Sequence, residues 1–262
     1  MDSVGGLLAA SALPRHEAQR LLQKATGMDR VAQIAHPEHI LSPQQCAQAG
    51  ALFARRLSGE PLAYMLGERE FWGLVFKVTP AVLIPRAETE LLVELALERL
   101  LPHAAARVLD LGTGSGAVAI AVAVARPGAS VTAADISGEA LAVARDNAVR
   151  HGARVQFEQG DWFGALEGTC TDKFDLVLGN PPYIATDDPH LSQGDLPHEP
   201  LRALAAGPDG LLALGAIVTQ AGPHLAAGGW LLLEHGFDQG AACRALFEAV
   251  GFAQIQDRKS VV

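Results

Sequence analysis

Over the second half of the chain, short apolar runs alternate with stretches of helical spacing. The runs are "ARVLDL", "SVTAAD", "RVQFEQ", "FDLVLG", "WLLLEH" and "FAQIQ". Between most of them lie "GAVAIAVAVAR", "GEALAVARDNAVRHG", "GLLALGAIVTQAGPHL" and "QGAACRALFEAVG", and "ETELLVELALERLL" precedes the set. Repeated strand–helix units predict a doubly wound, mostly parallel sheet of α/β class. Residues 1–62 carry helical periodicity only. "PRHEAQRLLQKATG" opens at Pro14 and closes near Gly27. "SPQQCAQAGALFARRLSGEP" offers Ser42 as a cap, Pro43 at the first helical position and Gln45 three residues on, the signature of a capping box. Between the two regions, "EFWGLVFKV" is aromatic and β-branched around Gly73 and predicts a hairpin, and the prolines of "TPAVLIPR" make it an extended connector. The expected organisation is a small helical domain over 1–62, a hairpin and linker over 63–86, and an α/β domain over 87–262.

Composition agrees. Of 262 residues, 49% are apolar and only 5% aromatic, which suits helices on a parallel sheet better than a β-sandwich. The net charge of −9, with no Lys/Arg run, argues against a broad nucleic-acid footprint. Cys46, Cys170 and Cys243 are far apart in sequence, so neither a disulfide framework nor a zinc site is indicated. "MDSVGGLLAASALPR" lacks a basic leader and reads as a short helix, not a signal peptide. No segment has the length of a membrane span, and a cytoplasmic enzyme is the simplest class.

Candidate chemistry begins at "VLDLGTGSGA", where a strand enters a turn carrying Gly112, Gly114 and Gly116 and a helix follows. Glycines let a ligand approach the backbone at a helix N-terminus. Asp135, ending "SVTAAD", is placed to accept from both hydroxyls of a ribose. Gly112, Gly114 and Ala117 also satisfy the dinucleotide fingerprint, so the loop alone leaves a dinucleotide and another adenosine cofactor open. Asp110 leans away from a pyrophosphate and toward a cationic cofactor such as S-adenosylmethionine. In "GDWF", Asp161 could accept from an adenine amino group, and Trp162 is either a flat wall for the ring or ordinary core.

The second constellation is "GNPPYI", directly after "FDLVLG". That strand should lie beside the first across the switch point, so Asn180 should face the glycine loop's crevice. A planar amide nitrogen is a poor nucleophile. Two acceptors that take both its N–H groups would aim it at an incoming carbon: the Asn180 side-chain oxygen and the Pro181 carbonyl, the latter in a turn stiffened by Pro182. Tyr183 offers a flat face. The gain would come from orientation. Asn180 as a plain turn cap is the competing reading.

"DLGTGSG", Asp135, "GDWF" and "NPPYI" together resemble the class I S-adenosylmethionine-dependent methyltransferases that modify planar nitrogens. "FWGLVFKVTPAVLIPRAETELLVE", "NPPYIATDDPHLSQGDLPHEPLRAL" and "GGWLLLEHG" are similar to the release factor glutamine methyltransferases of the HemK/PrmC type, over nearly the whole chain. A sister family acting on a ribosomal-protein glutamine shares the Asn-Pro-Pro-Tyr turn. The resemblance implies a Rossmann-like fold and transfer of a methyl group from S-adenosyl-L-methionine to the glutamine of the Gly-Gly-Gln loop of class I peptide chain release factors. It implies cofactor contacts from Gly112, Thr113, Gly114, Ser115, Gly116, Asp135, Trp162 and Asn180. The glutamine amide would be held by Asn180, Pro181, Pro182 and Tyr183, with Glu199, Pro200 and the "IPRAETE" segment as pocket wall, and the N-terminal helices against the release factor. A monomer is expected, with no metal and no direct nucleic-acid contact.

Three departures from the family pattern stand out. Ala87 replaces a usual proline, which is expected to loosen the connector. Pro197 and His198 stand where Arg and Phe are usual. The chain stops at "QDRKSVV", where the family adds a further strand; a sheet lacking that strand is expected to leave ladder groups uncovered and to be less stable. His36 and His39 have metal-like spacing but no third ligand. Glu234 and His235 end a strand near the crevice and read as structural hydrogen-bonding groups or a proton-accepting pair. Rival functions are an adenine-N6 DNA methyltransferase, which lacks a visible basic reading domain, an NAD-dependent oxidoreductase, which gives the proline turn no task, and a noncatalytic release-factor partner.

Overall fold

The computed structural model describes residues 2–101, 105–168 and 173–259. Two compact units divide between Gly67 and Glu68. The first holds α1 (Val4–Ala10), α2 (Arg15–Thr26), α3 (Arg30–Ala35), α4 (Pro43–Leu57) and α5 (Leu62–Leu66). Their ends follow the sequence. The Ser42 hydroxyl accepts from Gln45 N at 3.2 Å while Gln45 Oε1 accepts from Ser42 N at 3.0 Å, a complete capping box ahead of Pro43. Gly27 ends α2 in the left-handed conformation. Leu21, Leu22, Ala49, Phe53 and Met65 share one buried cluster. Met65 belongs to α5, so the helical unit runs past residue 62: residues 63–66, expected in the linker, are helical because their apolar face is needed in this core.

The second unit opens with an antiparallel hairpin, β1 (Glu68–Phe71) and β2 (Leu74–Lys77). Trp72 and Gly73 both have positive φ in its turn, as a tight hairpin of two central residues demands. Then follow α6 (Glu90–Arg99), β3 (Arg107–Leu111), α7 (Ala117–Ala125), β4 (Ser130–Asp135), α8 (Gly138–His151), β5 (Val155–Gln159), β6 (Phe174–Gly179), α9 (Leu212–Ala221), β7 (Leu225–Leu233) and α10 (Gly240–Val250). The five strands are parallel in the order β5-β4-β3-β6-β7. One face is buried under α6, α7 and α8, the other under α9 and α10. Near-continuous apolar strands such as β3 and β6 are what a sheet covered on both faces requires.

The order reverses at β3, which is the switch point where ligands bind in such sheets. Register fixes what meets there. Leu111 is the partner of Gly179, so Gly112 and Asn180, the next residue of each strand, leave the sheet side by side. Gly179 is needed for that approach, since a Cβ there would lie 3.2 Å from Leu233 Cδ2 and 3.3 Å from the Leu111 carbonyl oxygen.

The expected sixth strand, "FAQIQ", does not form. Gln254 has φ of 56°, a left-handed conformation that interrupts an extended run. Phe252 turns onto Phe247, with ring centroids 5.2 Å apart, and Arg244 Nη1 donates to the Ile255 carbonyl. Among the described residues β7 is therefore an edge strand. The last three residues of "QDRKSVV" and Cys170 lie outside the described residues. Cys46 and Cys243 are free thiols.

One buried side chain ties hairpin, helix and glycine loop together. Asn147 on α8 is fully buried. Its Oδ1 accepts from Lys77 N at 2.7 Å, and its Nδ2 donates to the Lys77 carbonyl at 3.0 Å and the Ser115 carbonyl at 2.8 Å. Removing it strands backbone groups without water. Asn147→Ala is expected to lower unfolding free energy by about 3 kcal/mol, read as a shift in urea midpoint; a change under about 0.5 kcal/mol would show that the staple does not hold the unit together.

Candidate active site

The glycine turn after β3 is shaped from beneath. Gly112 N and Thr113 N both donate to the Ala134 carbonyl, at 2.9 and 3.0 Å, which pulls the loop across the end of β4. Gly112, Gly114 and Gly116 all have positive φ. A Cβ on Gly112 would come 3.3 Å from the Trp162 ring, so the indole lies on the loop's backbone. Trp162 itself has φ of 44°, a left-handed conformation that is an outlier for a bulky residue. It lines the cavity and also packs on the buried cluster beneath. Both readings of Trp162 thus describe one side chain.

Asp135 ends β4 with both carboxylate oxygens in use. Oδ2 accepts from Gly114 N at 2.9 Å and Oδ1 from Ser137 N at 2.8 Å. A carboxylate has about four acceptor sites, so acceptor capacity is left for a ligand. Burial raises its pKa, opposed by the Ser137 and Gly114 amides and by Arg202. Asp110 is different. It is 2% exposed, and the Thr113 hydroxyl donates to it at 2.6 Å. Burial pushes its pKa up to about 7, against the Thr113 hydrogen bond. It therefore lies beneath the loop, as a structural acid.

Gly112, Gly114, Asp135, Asp161, Trp162, Asn180 and Pro182 line one cavity, closed on the far side by Val82, Leu83 and Pro200. That wall is anchored by Glu199, whose side chain is fully buried. Its Oε2 accepts from Ile84 N at 3.0 Å and its Oε1 pairs with Arg86. Ala87 is exposed, and its carbonyl accepts from Glu90 N at 3.0 Å, so the connector closes without the usual proline. Pro197 and His198 sit on an exposed 3-10 turn and do not line this cavity.

Asn180 is half-buried at the mouth of β6. Its Nδ2 donates to Thr89 Oγ1 at 3.1 Å. Tyr183 turns the other way, its hydroxyl donating to Glu234 Oε1 at 3.3 Å and its carbonyl accepting from Gln239 Nε2 at 3.0 Å. Burial and the neighbouring Glu234 carboxylate raise the Tyr183 pKa, so the phenol stays neutral. Burial also raises Glu234, opposed by the Thr89 and Tyr183 hydroxyls. Tyr183 and Glu234 stand at one end of a larger groove, about 590 Å³, that follows the β7 edge past Trp230 and Leu232 to Phe252. Asn180 and Tyr183 thus face adjoining spaces.

Sequence reasoning placed Thr89 within the "IPRAETE" wall segment but gave it no task of its own. A threonine starting an apolar helical run reads as a cap, and nothing in the sequence marks it otherwise. No cluster of metal-binding side chains occurs among the described residues. Among them, His36 pairs with exposed Glu38.

Comparison with known proteins bears on the whole chain. A model described as Methyltransferase small domain matches residues 87–194, and one described as PrmC N-terminal domain matches residues 5–67. A release factor glutamine methyltransferase of Bordetella pertussis is 50% identical over 261 residues, covering 100% of this chain and 96% of that one. A release factor glutamine methyltransferase of Escherichia coli is 45% identical over 250 residues, covering 95% and 89%. The solved structure of a methyltransferase from Pyrococcus furiosus shares the fold, with a TM-score of 0.52 and 19% identity over 78% of this chain and 89% of that one.

The buried acid gives a signed pH effect. Asp110 holds its proton in the folded state up to about pH 7, against the ordinary aspartate value of 3.8. Between those values the folded state binds more protons than the unfolded one, so stability falls as pH rises. Asp110→Asn lacks the titration. Its unfolding free energy relative to wild type should grow by about 2–3 kcal/mol from pH 5 to pH 8, measured by urea unfolding. A constant difference would place the Asp110 carboxyl in solvent.

Proposed function

We propose that this chain, which belongs to the release factor glutamine methyltransferase family, methylates the side-chain amide nitrogen of the glutamine in the Gly-Gly-Gln motif of class I peptide chain release factors. The methyl donor is S-adenosyl-L-methionine. The observation that carries this reading is that Asn180, with its amide oxygen available, lines the same cavity as Gly112, Gly114, Asp135 and Trp162. A planar nitrogen held by Asn180 therefore meets a ligand held by the glycine loop.

The residues present suit that cofactor. Gly112 and Gly114 line the cavity with backbone, while Thr113 and Ser115 are buried beneath the loop and Gly116 packs against Ile120 and Ala144, so no side chain blocks that surface. Asp135 keeps acceptor capacity for ribose hydroxyls, and Trp162 supplies an apolar face. S-adenosyl-L-methionine contributes an electrophilic methyl carbon and leaves as neutral S-adenosyl-L-homocysteine.

The protein's own task is to present the nitrogen. Asn180 Oδ1 and the Pro181 carbonyl accept the two amide N–H groups, and Pro182 stiffens the turn that carries them. Tyr183, pinned by Glu234 and Gln239, lines the adjoining groove and not this cavity, so it braces the turn instead of facing the carboxamide. Holding both hydrogens in one plane directs the nitrogen's π electrons out of it, toward the carbon. When the nitrogen–carbon bond forms, one amide proton passes to solvent, and the product is a secondary amide. Neutral Tyr183 is not the base.

The helical unit, matched by the PrmC N-terminal domain model, would contact the release factor. No described helix is long and apolar enough to cross a membrane, and we place the enzyme in the cytoplasm as a monomer. A duplex substrate would meet a chain of net charge −9, which does not suit phosphate backbones.

Purified release factor with labelled S-adenosyl-L-methionine tests the reading. Label should enter the release factor and vanish when the Gly-Gly-Gln glutamine becomes alanine; label in DNA would reject it. Asn180→Ala should reduce turnover about a hundredfold, with cofactor affinity changed less than about threefold. Equal losses in both would assign Asn180 to cofactor binding alone.

A further inference from the structure

Pro181 and Pro182 carry no backbone N–H, so the turn that bears Asn180 is held mainly from its two ends. At the near end the Gly179 carbonyl accepts from Glu234 N at 3.0 Å. At the far end the peptide between Tyr183 and Ile184 is gripped from both sides. Its N–H donates to the Leu204 carbonyl at 2.9 Å, and its carbonyl accepts from Gln239 Nε2 at 3.0 Å. Gln239 stands at the start of α10 and reaches back to three main-chain groups. Besides the Tyr183 bond, Nε2 donates to the Asp209 carbonyl at 3.3 Å, and Oε1 accepts from Gly236 N at 2.8 Å. The donor or acceptor character of main-chain groups cannot change. A reversed amide would set its oxygen against two carbonyls and its N–H groups against a third N–H, so the orientation is fixed. One side chain thus joins the chain after β6, at 183 and 209, to the chain after β7, at 236. The approach is built for it. Gly210 has φ of 72°, and a Cβ there would overlap the Tyr183 carbonyl oxygen and lie 2.8 Å from Gln239 Nε2.

We propose that Gln239 is a positioning residue: through the Tyr183 carbonyl it holds the Asn-Pro-Pro-Tyr turn in the shape that aims Asn180 Oδ1 and the Pro181 carbonyl at the substrate amide. The inference rests on the reading of those two oxygens as the holders of the glutamine. Proline rings fix φ at 181 and 182, so few backbone angles remain free between the two anchored ends. A tilt of the Tyr183 peptide is then passed back through the prolines to the Pro181 carbonyl. The phenol bond to Glu234 fixes the ring of Tyr183 but not its peptide plane; Gln239 supplies that restraint. The side chain lies away from the cofactor, since neither Gln239 nor Tyr183 lines the cavity of the glycine loop. Its loss should therefore be felt in the orientation of the nitrogen and not in cofactor binding.

The test uses Gln239→Met, which keeps the length and removes the amide, and Gln239→Glu, which keeps the shape but sets an oxygen against the Tyr183 and Asp209 carbonyls. Folding of each is checked by circular dichroism, and either one that folds decides. With release factor and labelled S-adenosyl-L-methionine, kcat should fall about tenfold in Gln239→Met and at least as far in Gln239→Glu. KM for the release factor and Kd for the cofactor should stay within about threefold. A second readout needs no turnover. The chain has two tyrosines, so 3-fluorotyrosine labelling gives a simple fluorine spectrum, in which the Tyr183 resonance is identified by its loss in Tyr183→Phe. That resonance should shift or broaden in both variants. Wild-type kcat in a folded variant, equal losses in kcat and cofactor affinity, an unmoved Tyr183 resonance, or loss of the fold in both variants would each overturn the proposal. Should wild type transfer no methyl group to the release factor while the Tyr183 resonance still moves in the variants, the substrate assignment fails and the brace on Tyr183 stands.

Discussion

The parallel pairing of β3 with β6 is the contact on which the site depends. Through it Leu111 faces Gly179, and the residues that follow each, Gly112 and Asn180, leave the sheet together. A slip of one residue would turn every side chain of a strand to the opposite face. Here both faces are buried, under different helices, so any slip would exchange two fitted packings. The apolar cores therefore do more than stabilise the sheet. They fix the distance between the glycine loop after β3 and the Asn-Pro-Pro-Tyr turn after β6.

Around that pairing, the site accepts two locally unfavourable choices. Asp110 is buried with no cation paired to it among the described residues, and Trp162 adopts a backbone conformation usual for glycine. Both lie at the ends of the central strands or beside them. Elsewhere Ser3, Asp29, Ser42 and Ser137 cap their helices in the ordinary way.

Much of this was legible in the sequence, for reasons that differ by element. The five sheet strands were visible because a parallel sheet buries both faces and its strands read as unbroken apolar runs. The capping box at Ser42 and Gln45 and the turns at Gly27 and Gly73 were visible because the chemistry is local. Gly112 to Gly116, Asp135 and Asn180 were visible as motifs, and the structure gathers them at one switch point. Two things were not legible. "FAQIQ" has the composition of a strand, but whether it pairs depends on the conformation at Gln254 and on Phe252 packing against Phe247. Thr89 has the residue type and position of a cap, and only the approach of Asn180, which is remote in sequence, gives its hydroxyl a partner. Both depend on tertiary neighbours, which no local pattern encodes.

The β7 edge has a consequence of its own. An unpaired strand flanked by Trp230, Leu232 and Phe252 is a template for foreign chains. The guanidinium of Arg99 lies 4.3 Å from the centre of the Trp230 ring and sets a positive charge over that seam. Two molecules approaching seam to seam would bring like charges together, though Glu98 pairs with Arg99 at 3.2 Å and shares the charge, so what the seam presents is a charged pair that is costly to bury against a second edge.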